Sequence, residues 1–290
     1  MAHGFARGRH VSWKLSVEAA AAVAKTAPRD RSEPEGMSAG FRLAEFRPAD
    51  CRPPHIAVYI LRRMNETGTD SVLALGIDTC GPSGSVSLGR ITRTDVESLA
   101  QAELEGRTYS ATLVAAVKQI LEEGAAFLRQ IGVLVVVNGP GSFTGVRVGL
   151  SAAKGFAEGA GIPVVSLSRL EVLSAKAAVQ NAALDAHRQE IFLRLEGREL
   201  LAGRAELSGL PAPEACAVCD PQAESILNEA WPATRLLTVL PPSAADALLV
   251  AAPRIRAREF ADVALLDGHY LRRSDAEIFG DPQVAAAHSK

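Results

Sequence analysis

The fold of this chain is decided by the stretch Asn138-Gly139-Pro140-Gly141-Ser142-Phe143-Thr144-Gly145-Val146-Arg147-Val148-Gly149. The run 133–137 just before it is wholly apolar and mostly β-branched, which predicts a buried strand of a mainly parallel sheet. Ser142 or Thr144 can cap a helix that Gly161 then ends. A strand, a glycine turn and a helix N-terminus can together hold an anion. The same arrangement also occurs as a connection without a ligand, so both interpretations stay open.

Small residues recur at every fourth position of this predicted helix and form one smooth ridge. They are Gly145, Gly149, Ala153, Ala157 and Gly161. Side chains this small allow a close approach to a neighbouring element. Because each glycine costs about 1 kcal/mol of helix propensity relative to alanine, something that packs against the ridge must compensate. That neighbour is either another helix of this chain or a second protein.

Composition indicates a globular protein and excludes several other classes. The chain has 290 residues and is 48% hydrophobic, which is enough for a large core or two lobes. No apolar run approaches the roughly 18–20 residues that cross a bilayer. Four cysteines in so long a chain do not form a disulfide scaffold, so we expect a cytoplasmic protein. The CxxC of Cys216 and Cys219 lacks a second ligand pair, which favours ordinary thiols over a zinc site.

The first 63 residues differ from the rest. They hold 11 Lys and Arg against 6 Asp and Glu, a net charge of +5, whereas the remainder carries −7. They also contain five prolines and show no steady hydrophobic period, so we expect residues 1–63 to be a poorly ordered extension. Met64 would then be the natural start. An Arg-rich presequence or a nucleic-acid-binding tail is the alternative, although acidic residues are interspersed.

From residue 72 the pattern becomes regular. Three strands are predicted, over Val72–Ile77, Ser85–Leu88 and Val96–Leu104, with a polar turn that starts at Asp78 between the first two. Tyr109–Gly124 is an amphipathic helix. Its predicted apolar face consists of Leu113, Val114, Val117, Ile120 and Leu121. The strand and helix around the glycine turn follow, so the order is strand-strand-strand-helix-strand-helix, which is typical of one half of an actin-like ATPase.

Several segments together carry a resemblance to a known family. They are Leu75-Gly76-Ile77-Asp78-Thr79, the Gly139–Arg147 glycine turn, Ser151–Gly155, Gly161–Val165, Leu184–Phe192 and the Tyr270-Leu271-Arg272 segment that continues to Glu277. Over about 72–279 the chain resembles the TsaB (YeaZ) family, the bacterial partner subunit in the synthesis of threonylcarbamoyladenosine in tRNA. The resemblance implies an α/β fold of the actin-like ATPase (Hsp70 and sugar-kinase-like) class, with two lobes that each have a mixed sheet flanked by helices. We expect a first lobe at 64–165, a second and more divergent lobe at 166–279, and a tail at 280–290.

The resemblance also implies a function. Family members are non-catalytic scaffolds that bind and activate TsaD, the subunit that transfers the threonylcarbamoyl group to an adenosine next to the anticodon. A TsaE-like ATPase joins them, tRNA is bound only through the complex, and a homodimer is possible when TsaD is absent. TsaD binds its metal through two histidines on its first helix, and this chain has no histidine between 56 and 186. Tyr109 occupies the position of the single histidine that TsaB relatives usually have.

The expected site residues follow from the same resemblance. The partner-docking surface is predicted on the two helices of the first lobe, at Leu113, Val117, Ile120, Leu121, Gly145, Gly149, Ala153 and Ala157. Vestigial phosphate loops are predicted at Asp78, Thr79, Gly139, Gly141, Ser142 and Thr144. We expect no catalytic residue, no metal and no cofactor.

Two other functions stay open. An ATPase of the actin-like class would use Asp78 and the 139–145 loop on ATP–Mg²⁺. A peptidase would need Ser142, His187 and Asp185 to converge, and nothing in their spacing favours that. The second lobe is less clear: we expect a strand at Leu200–Leu207, a helix at Ala244–Arg256 and a final helix at Leu265–Leu271.

Overall fold

A computed structural model describes residues 71–271 of the chain. The predictions for the extension at 1–63, for Met64 and for the tail at 280–290 lie outside the described residues. The part of the closing segment from residue 272 onward lies outside them too.

The first lobe is built on a five-stranded mixed sheet. Its strands are β1 (Val72–Asp78), β2 (Ser83–Ile91), β3 (Val96–Glu105), β4 (Ile131–Val137) and β5 (Val164–Leu167). They lie in the order β3-β2-β1-β4-β5, with β1 to β3 antiparallel and β1, β4 and β5 parallel. Every residue of β4 is buried, as expected for a parallel strand that is covered on both faces. The strands predicted for this lobe are therefore confirmed.

Six α-helices surround the sheets in the described part of the chain. They are α1 (Tyr109–Glu123), α2 (Phe143–Ala160), α3 (Arg169–Lys176), α4 (Arg204–Ser208), α5 (Pro221–Ala230) and α6 (Ala244–Ala257). The predicted ends of α2 are confirmed: the Ser142 hydroxyl accepts the Gly145 N–H at 3.3 Å, and Gly161 ends the helix in the left-handed conformation.

Helices α1 and α2 cover one face of the first sheet, and α6 covers the other. A side chain at Gly149 of α2 would reach Ile77 of β1. A side chain at Gly76, the residue before Ile77 in the same strand, would reach Leu248 of α6. Neighbouring strand residues point to opposite faces, so α2 and α6 sandwich the sheet. Helix α6 thus belongs to the core of the first lobe, although we assigned it to the second lobe from its position in the chain.

The eight residues predicted to dock a partner are buried in this lobe. They are Leu113, Val117, Ile120, Leu121, Gly145, Gly149, Ala153 and Ala157. A methyl group added at Gly145 would overlap the Thr79 carbonyl oxygen, and one added at Gly149 would overlap the Thr79 hydroxyl. The ridge is therefore bare because α2 lies directly against the chain at the end of β1, and these residues themselves do not form an outer surface. Val114, which we grouped with the inner face of α1, is 62% exposed.

The second lobe is a smaller five-stranded sheet with helices on both faces. Its strands are β6 (Ala182–Asp185), β7 (Ile191–Leu195), β8 (Arg198–Ala202), β9 (Ala215–Val218) and β10 (Arg235–Thr238), in the order β10-β9-β6-β7-β8. Alternate residues of β6, β7, β8 and β9 fall into two separate apolar clusters, one with α5 and the other with α3. The predicted architecture of two lobes, each with a mixed sheet flanked by helices, is confirmed.

Two predicted elements of the later chain are wrong. The expected strand at Leu200–Leu207 ends at Ala202, because the chain turns at Gly203 into the short helix α4. The expected helix at Leu265–Leu271 is irregular chain, and its His269 N–H donates to the Asn138 carbonyl at 2.7 Å. The other backbone hydrogen bonds of this segment close short turns, such as Tyr270 N–H to the Gly268 carbonyl at 3.0 Å, and form no repeating helical pattern.

None of the helices within residues 71–271 combines the length and the apolar character that a bilayer-spanning segment requires.

The two kinds of glycine in α2 should respond oppositely to the same substitution. Gly145→Ala should lower the free energy of unfolding by about 1–3 kcal/mol, because the methyl group meets backbone that cannot move away freely. Gly155→Ala should instead raise it by about 0.5–1 kcal/mol, since that site is open and alanine favours a helix. Urea denaturation of both variants tests this. A Gly145→Ala variant as stable as the wild type would contradict the close seating of α2.

Candidate functional site: the cleft between the lobes

The predicted phosphate-loop residues meet at one edge of the first sheet. Strands β1 and β4 are parallel, so their carboxyl ends lie together, and ligand sites of open α/β sheets form at such edges. A cleft of about 1070 Å³ opens there, between the ends of these strands and the β6–β7 turn of the second lobe. Gly141 and Ser142 line it, Thr144 is exposed on α2, and Asp78 and Thr79 are buried beneath it.

The two loops are joined to each other. The Ser142 N–H donates to the Cys80 carbonyl at 2.8 Å, and the Thr79 hydroxyl donates to the Gly145 carbonyl at 2.7 Å. A methyl group at Gly141 would overlap the Cys80 carbonyl oxygen, so only glycine permits this approach. The loop glycines thus hold the two loops in direct contact.

The carboxylate of Asp78 faces nitrogen donors of this chain. It is 1% exposed, its Oδ1 accepts the Cys80 N–H at 2.9 Å, and its Oδ2 lies 3.8 Å from Arg169 Nε. Burial raises the pKa of the Asp78 carboxyl above its ordinary value, and the nearby Arg169 charge offsets this only in part. A carboxyl that holds the water shell of Mg²⁺ needs an open face, and the buried Asp78 carboxyl has none, so these residues do not fit the metal of an ATP–Mg²⁺ complex. Among residues 71–271, no three His, Cys, Asp or Glu side chains come together as a metal site.

Arg169 is a site residue that the sequence did not reveal. It is the first residue of α3, follows the capping Ser168, and is 6% exposed. One sequence signal could have identified it: a cation at a helix N-terminus opposes the helix dipole, so an arginine there needs another reason.

Tyr109, the first residue of α1, supports the loop that follows β1. Its hydroxyl donates to the Gly81 carbonyl at 2.8 Å, and its ring lies close to Gly84 and Gly145. Burial, and next the Asp78 charge, raise the pKa of Tyr109 to about 12, so the hydroxyl remains a proton donor at neutral pH. Tyr109 therefore has a structural role at the loop after β1.

One carboxylate connects the two lobes and the last described segment. Glu199 of β8 accepts hydrogen bonds from Ser168 at 2.6 Å, from Arg194 at 2.8 Å and from His269 Nε2 at 2.8 Å. A carboxylate can only accept, so Nε2 carries the proton. Burial alone would raise the pKa of the Glu199 carboxyl, but the hydrogen bonds from His269, Ser168 and Arg194 outweigh it and lower that pKa below its ordinary value.

Of the contacts that a peptidase would need, the structure has the one between His187 and Asp185 but not the one between Ser142 and His187. His187 Nδ1 lies 2.9 Å from Asp185 Oδ2, and both residues line the cleft with Ser142. Ser142, however, uses its hydroxyl to cap α2. A serine nucleophile donates its O–H to a base, and among the described residues no base lies at hydrogen-bond distance from the Ser142 hydroxyl. Cys216 is a free thiol inside β9, and Cys219, also a free thiol, follows that strand.

An aromatic and cationic cluster stands at the rim of the cleft. The Phe143 and Tyr270 rings lie 5.0 Å apart, and the Arg147 guanidinium stacks 3.6 Å above the Phe143 ring. This cluster joins the start of α2 to the last described residues of the chain.

Comparisons with known proteins agree with the predicted family. The family model described as TsaD, tRNA N6-adenosine threonylcarbamoyltransferase, matches residues 100–218. The tRNA threonylcarbamoyladenosine biosynthesis protein TsaB of Haemophilus influenzae is 36% identical over 132 residues, which are 43% of this chain and 54% of that protein. TsaB of Escherichia coli is 35% identical over 124 residues, 41% of this chain and 52% of that protein. The chain spans about half the length of these curated relatives.

Solved structures show the same fold. An uncharacterized Pseudomonas aeruginosa protein with similarity to peptidase YeaZ aligns with a TM-score of 0.58 and 22% identity over 69% of this chain and all of that one. YeaZ from Pseudomonas aeruginosa aligns with a TM-score of 0.54 and 22% identity over the same shares. The predicted actin-like fold class is confirmed.

Removing the Tyr109 hydroxyl should weaken the fold without changing its shape. Tyr109→Phe leaves the buried Gly81 carbonyl without its donor, so the free energy of unfolding should fall by about 1 kcal/mol. Tyr270→Phe, in a half-exposed ring at the cleft rim, is the matched control and should change it by less than about 0.5 kcal/mol. Equal stability of the two variants would show that the Tyr109 hydrogen bond contributes nothing.

The Glu199 hydrogen bonds should give a pH-dependent stability. Because the folded-state pKa lies below the unfolded value of about 4.5, the ionised carboxylate stabilises the fold above that pH, and this stability is lost as the pH falls through the folded pKa. Glu199→Gln should therefore lower the free energy of unfolding by about 1–3 kcal/mol at neutral pH, and the difference from wild type should narrow in acid. Urea denaturation of both proteins over a pH series measures this difference in the free energy of unfolding.

The matched control is Glu97→Gln, which removes an exposed ion pair with Arg90. It should change the stability by less than about 1 kcal/mol at either pH. A Glu199→Gln defect that stays constant between neutral and acid pH would contradict the assigned role of the carboxylate.

Proposed function

Because this chain is related to the TsaB proteins and has their fold, we propose that it is a scaffold subunit that binds and activates a TsaD-type threonylcarbamoyltransferase. It would act in the formation of threonylcarbamoyladenosine next to the tRNA anticodon. The names of the curated relatives and the match to the TsaD family model support the process. The conflict between Asp78 and a metal supports a role without catalysis of its own.

The observation that carries the pairing proposal is the outer face of α1 and α2. On α1 this face includes Val114, which is 62% exposed, and the small Ala115. On α2 it includes Ser151 and Gly155, and nothing lies within 4 Å of a side chain placed at Gly155. Short side chains at these four positions allow a second helix pair to approach closely there. The docking surface we propose is this outer face. It lies on the same two helices as the buried residues that the sequence suggested, but on their exposed side.

The other components of the proposal follow from the family resemblance. A TsaE-like ATPase would join the pair, and tRNA would be bound through the complex, since residues 64–290 carry a net charge of −7. The same outer face would serve a homodimer when the TsaD-type partner is absent. The free thiols of Cys80, Cys216 and Cys219 fit a reducing compartment such as the cytoplasm.

Charges on the outer face should abolish pairing and leave the fold intact. Val114→Glu and Gly155→Glu place a carboxylate at the proposed contact, and each should weaken binding of the organism's TsaD-type protein by about tenfold or more. The matched control is Leu249→Glu on α6, an exposed leucine (55%) of the same lobe on the opposite side of the sheet, which should bind as wild type does. Isothermal titration measures the affinities, and circular dichroism confirms folding.

Reconstituted tRNA modification tests the activation step. Adding the wild-type chain to the TsaD-type enzyme should raise the rate of threonylcarbamoyladenosine formation, whereas Val114→Glu should not. Wild-type affinity in both outer-face variants would refute the proposed docking surface.

A further inference from the structure

The side chain of Arg169 is buried at the floor of the cleft without hydrogen-bond acceptors. It is 6% exposed, and its Nε is enclosed and unpartnered, at 3.8 Å from Asp78 Oδ2. That distance is too long for a hydrogen bond. Within residues 71–271 the hydrogen bond that Arg169 makes comes from its backbone N–H, to the Gly139 carbonyl at 2.6 Å. The guanidinium therefore carries N–H donors to the cleft floor without a matching acceptor among the described residues.

Such an arrangement needs a ligand or water to be stable. The charge of Arg169 is paired with Asp78, but its donors lack hydrogen-bond acceptors in the described part of the chain, and buried polar groups are nearly always hydrogen-bonded. The guanidinium lies against the backbone of Gly81, where a methyl group would collide with Nη2. The loop thus leaves the guanidinium room at the cleft floor, and Arg169 is among the residues that line the cleft.

The carboxylates of the cleft are, in contrast, already engaged. Asp185 accepts the His187 N–H at 2.8 Å and lies beside the His187 ring. Asp220 accepts the Asp185 N–H at 3.0 Å and the Ala223 N–H at 2.7 Å as the cap of α5. Glu105 stands exposed at the rim. The unmatched groups at the floor of the cleft are therefore the N–H donors of the Arg169 guanidinium, and an oxyanion could accept hydrogen bonds from them.

The size and walls of the cleft fit a small molecule. Its volume of about 1070 Å³ is close to the upper range of small-ligand pockets. Its walls carry apolar side chains, and these are Pro82, Pro140, Phe143, Leu184, Phe192 and Tyr270. A few polar groups in an apolar wall are typical of sites that orient a small ligand.

We propose that this cleft binds the phosphate or carboxylate group of a small molecule on the guanidinium of Arg169, without a metal ion. A planar fork of N–H donors matches both oxyanions in a bidentate manner. Asp78 competes for the Arg169 guanidinium from the buried side. At 3.8 Å it accepts no hydrogen bond from Arg169 Nε, so the hydrogen-bonding capacity of the guanidinium stays unused. The site differs from a nucleotide–magnesium site in that the cation is part of the chain. The observations that support this site do not depend on the proposed pairing with a TsaD-type protein.

Titration of the full chain with three probes tests the proposal. Inorganic phosphate, pyrophosphate and malonate are titrated by calorimetry at constant ionic strength, once with EDTA and once with Mg²⁺. We expect saturable binding of one molecule per chain, equal with and without Mg²⁺, and the better probe distinguishes a phosphate ligand from a carboxylate one. If none of the three probes binds to the wild type, water alone satisfies Arg169 and the proposal is refuted.

Variants locate the binding. Arg169→Met should weaken it by about tenfold or more, the loss expected for a charge-assisted hydrogen-bond pair. Asp78→Asn should strengthen it, because the competing carboxylate is gone. Arg254→Met, which removes a partly buried arginine that is paired with Glu171 outside the cleft, is the matched control and should bind as wild type does.

The proposal can still be tested if Arg169→Met does not fold. Folding is checked by circular dichroism, and Arg169→Lys keeps the charge and loses the fork, so it should bind with intermediate affinity. Unchanged affinity in a folded Arg169→Met or Arg169→Lys variant would overturn the assignment. Binding that requires Mg²⁺ would overturn it as well.

Discussion

A single contact at the end of β1 governs the arrangement of the first lobe. The Thr79 hydroxyl donates to the Gly145 carbonyl at 2.7 Å, in a place without access to water. This bond requires the helix backbone to lie against the end of the strand, and side chains at Gly145 or Gly149 would prevent it. Glycines weaken the helix by itself, so the core it covers must hold it in place. The bare ridge is therefore required by the fold, and the outward side of the same helix remains for contacts with another protein.

The two buried acids beside the cleft show that the number of hydrogen bonds decides whether the pKa of a buried carboxyl is raised or lowered. Asp78 has one backbone N–H at bonding distance and a guanidinium at 3.8 Å, and its pKa is raised. Glu199 has three donors within 2.8 Å, and its pKa is lowered although it is also largely buried. The first carboxylate is thus poorly suited to hold a divalent cation. The second joins Ser168, which follows the first sheet, to Arg194 of the second sheet, so it fixes how the lobes meet.

The sequence predicted the first lobe well because its information there is local. Apolar runs, a capping serine and the glycine that ends α2 each specify an element within a few residues. The sequence did not predict which element packs against a given helix face. The spacing of Gly145 and Gly149 places them on one side of a helix, but it does not show whether that side contacts a partner or the chain itself. The contact between Arg169 and Asp78 joins residues far apart in sequence and had no local pattern. The helix predicted at 265–271 is absent because the segment forms short turns and its His269 N–H bonds to the distant Asn138 carbonyl, a contact that periodicity cannot report.

The cleft and the outer face share the same two helices, and this connects the two proposals. Helix α1 begins at Tyr109, which is bonded to the loop below the cleft, and α2 begins at Phe143, which stands in the cleft wall. Both helices then run away from the cleft and present Val114 and Gly155 outward. Because α2 is seated on the chain at Thr79, a ligand that moves the loop must move the helix with it. Any such shift that changes affinity for a partner must change affinity for the ligand by the same factor, since coupling between two binding sites is reciprocal.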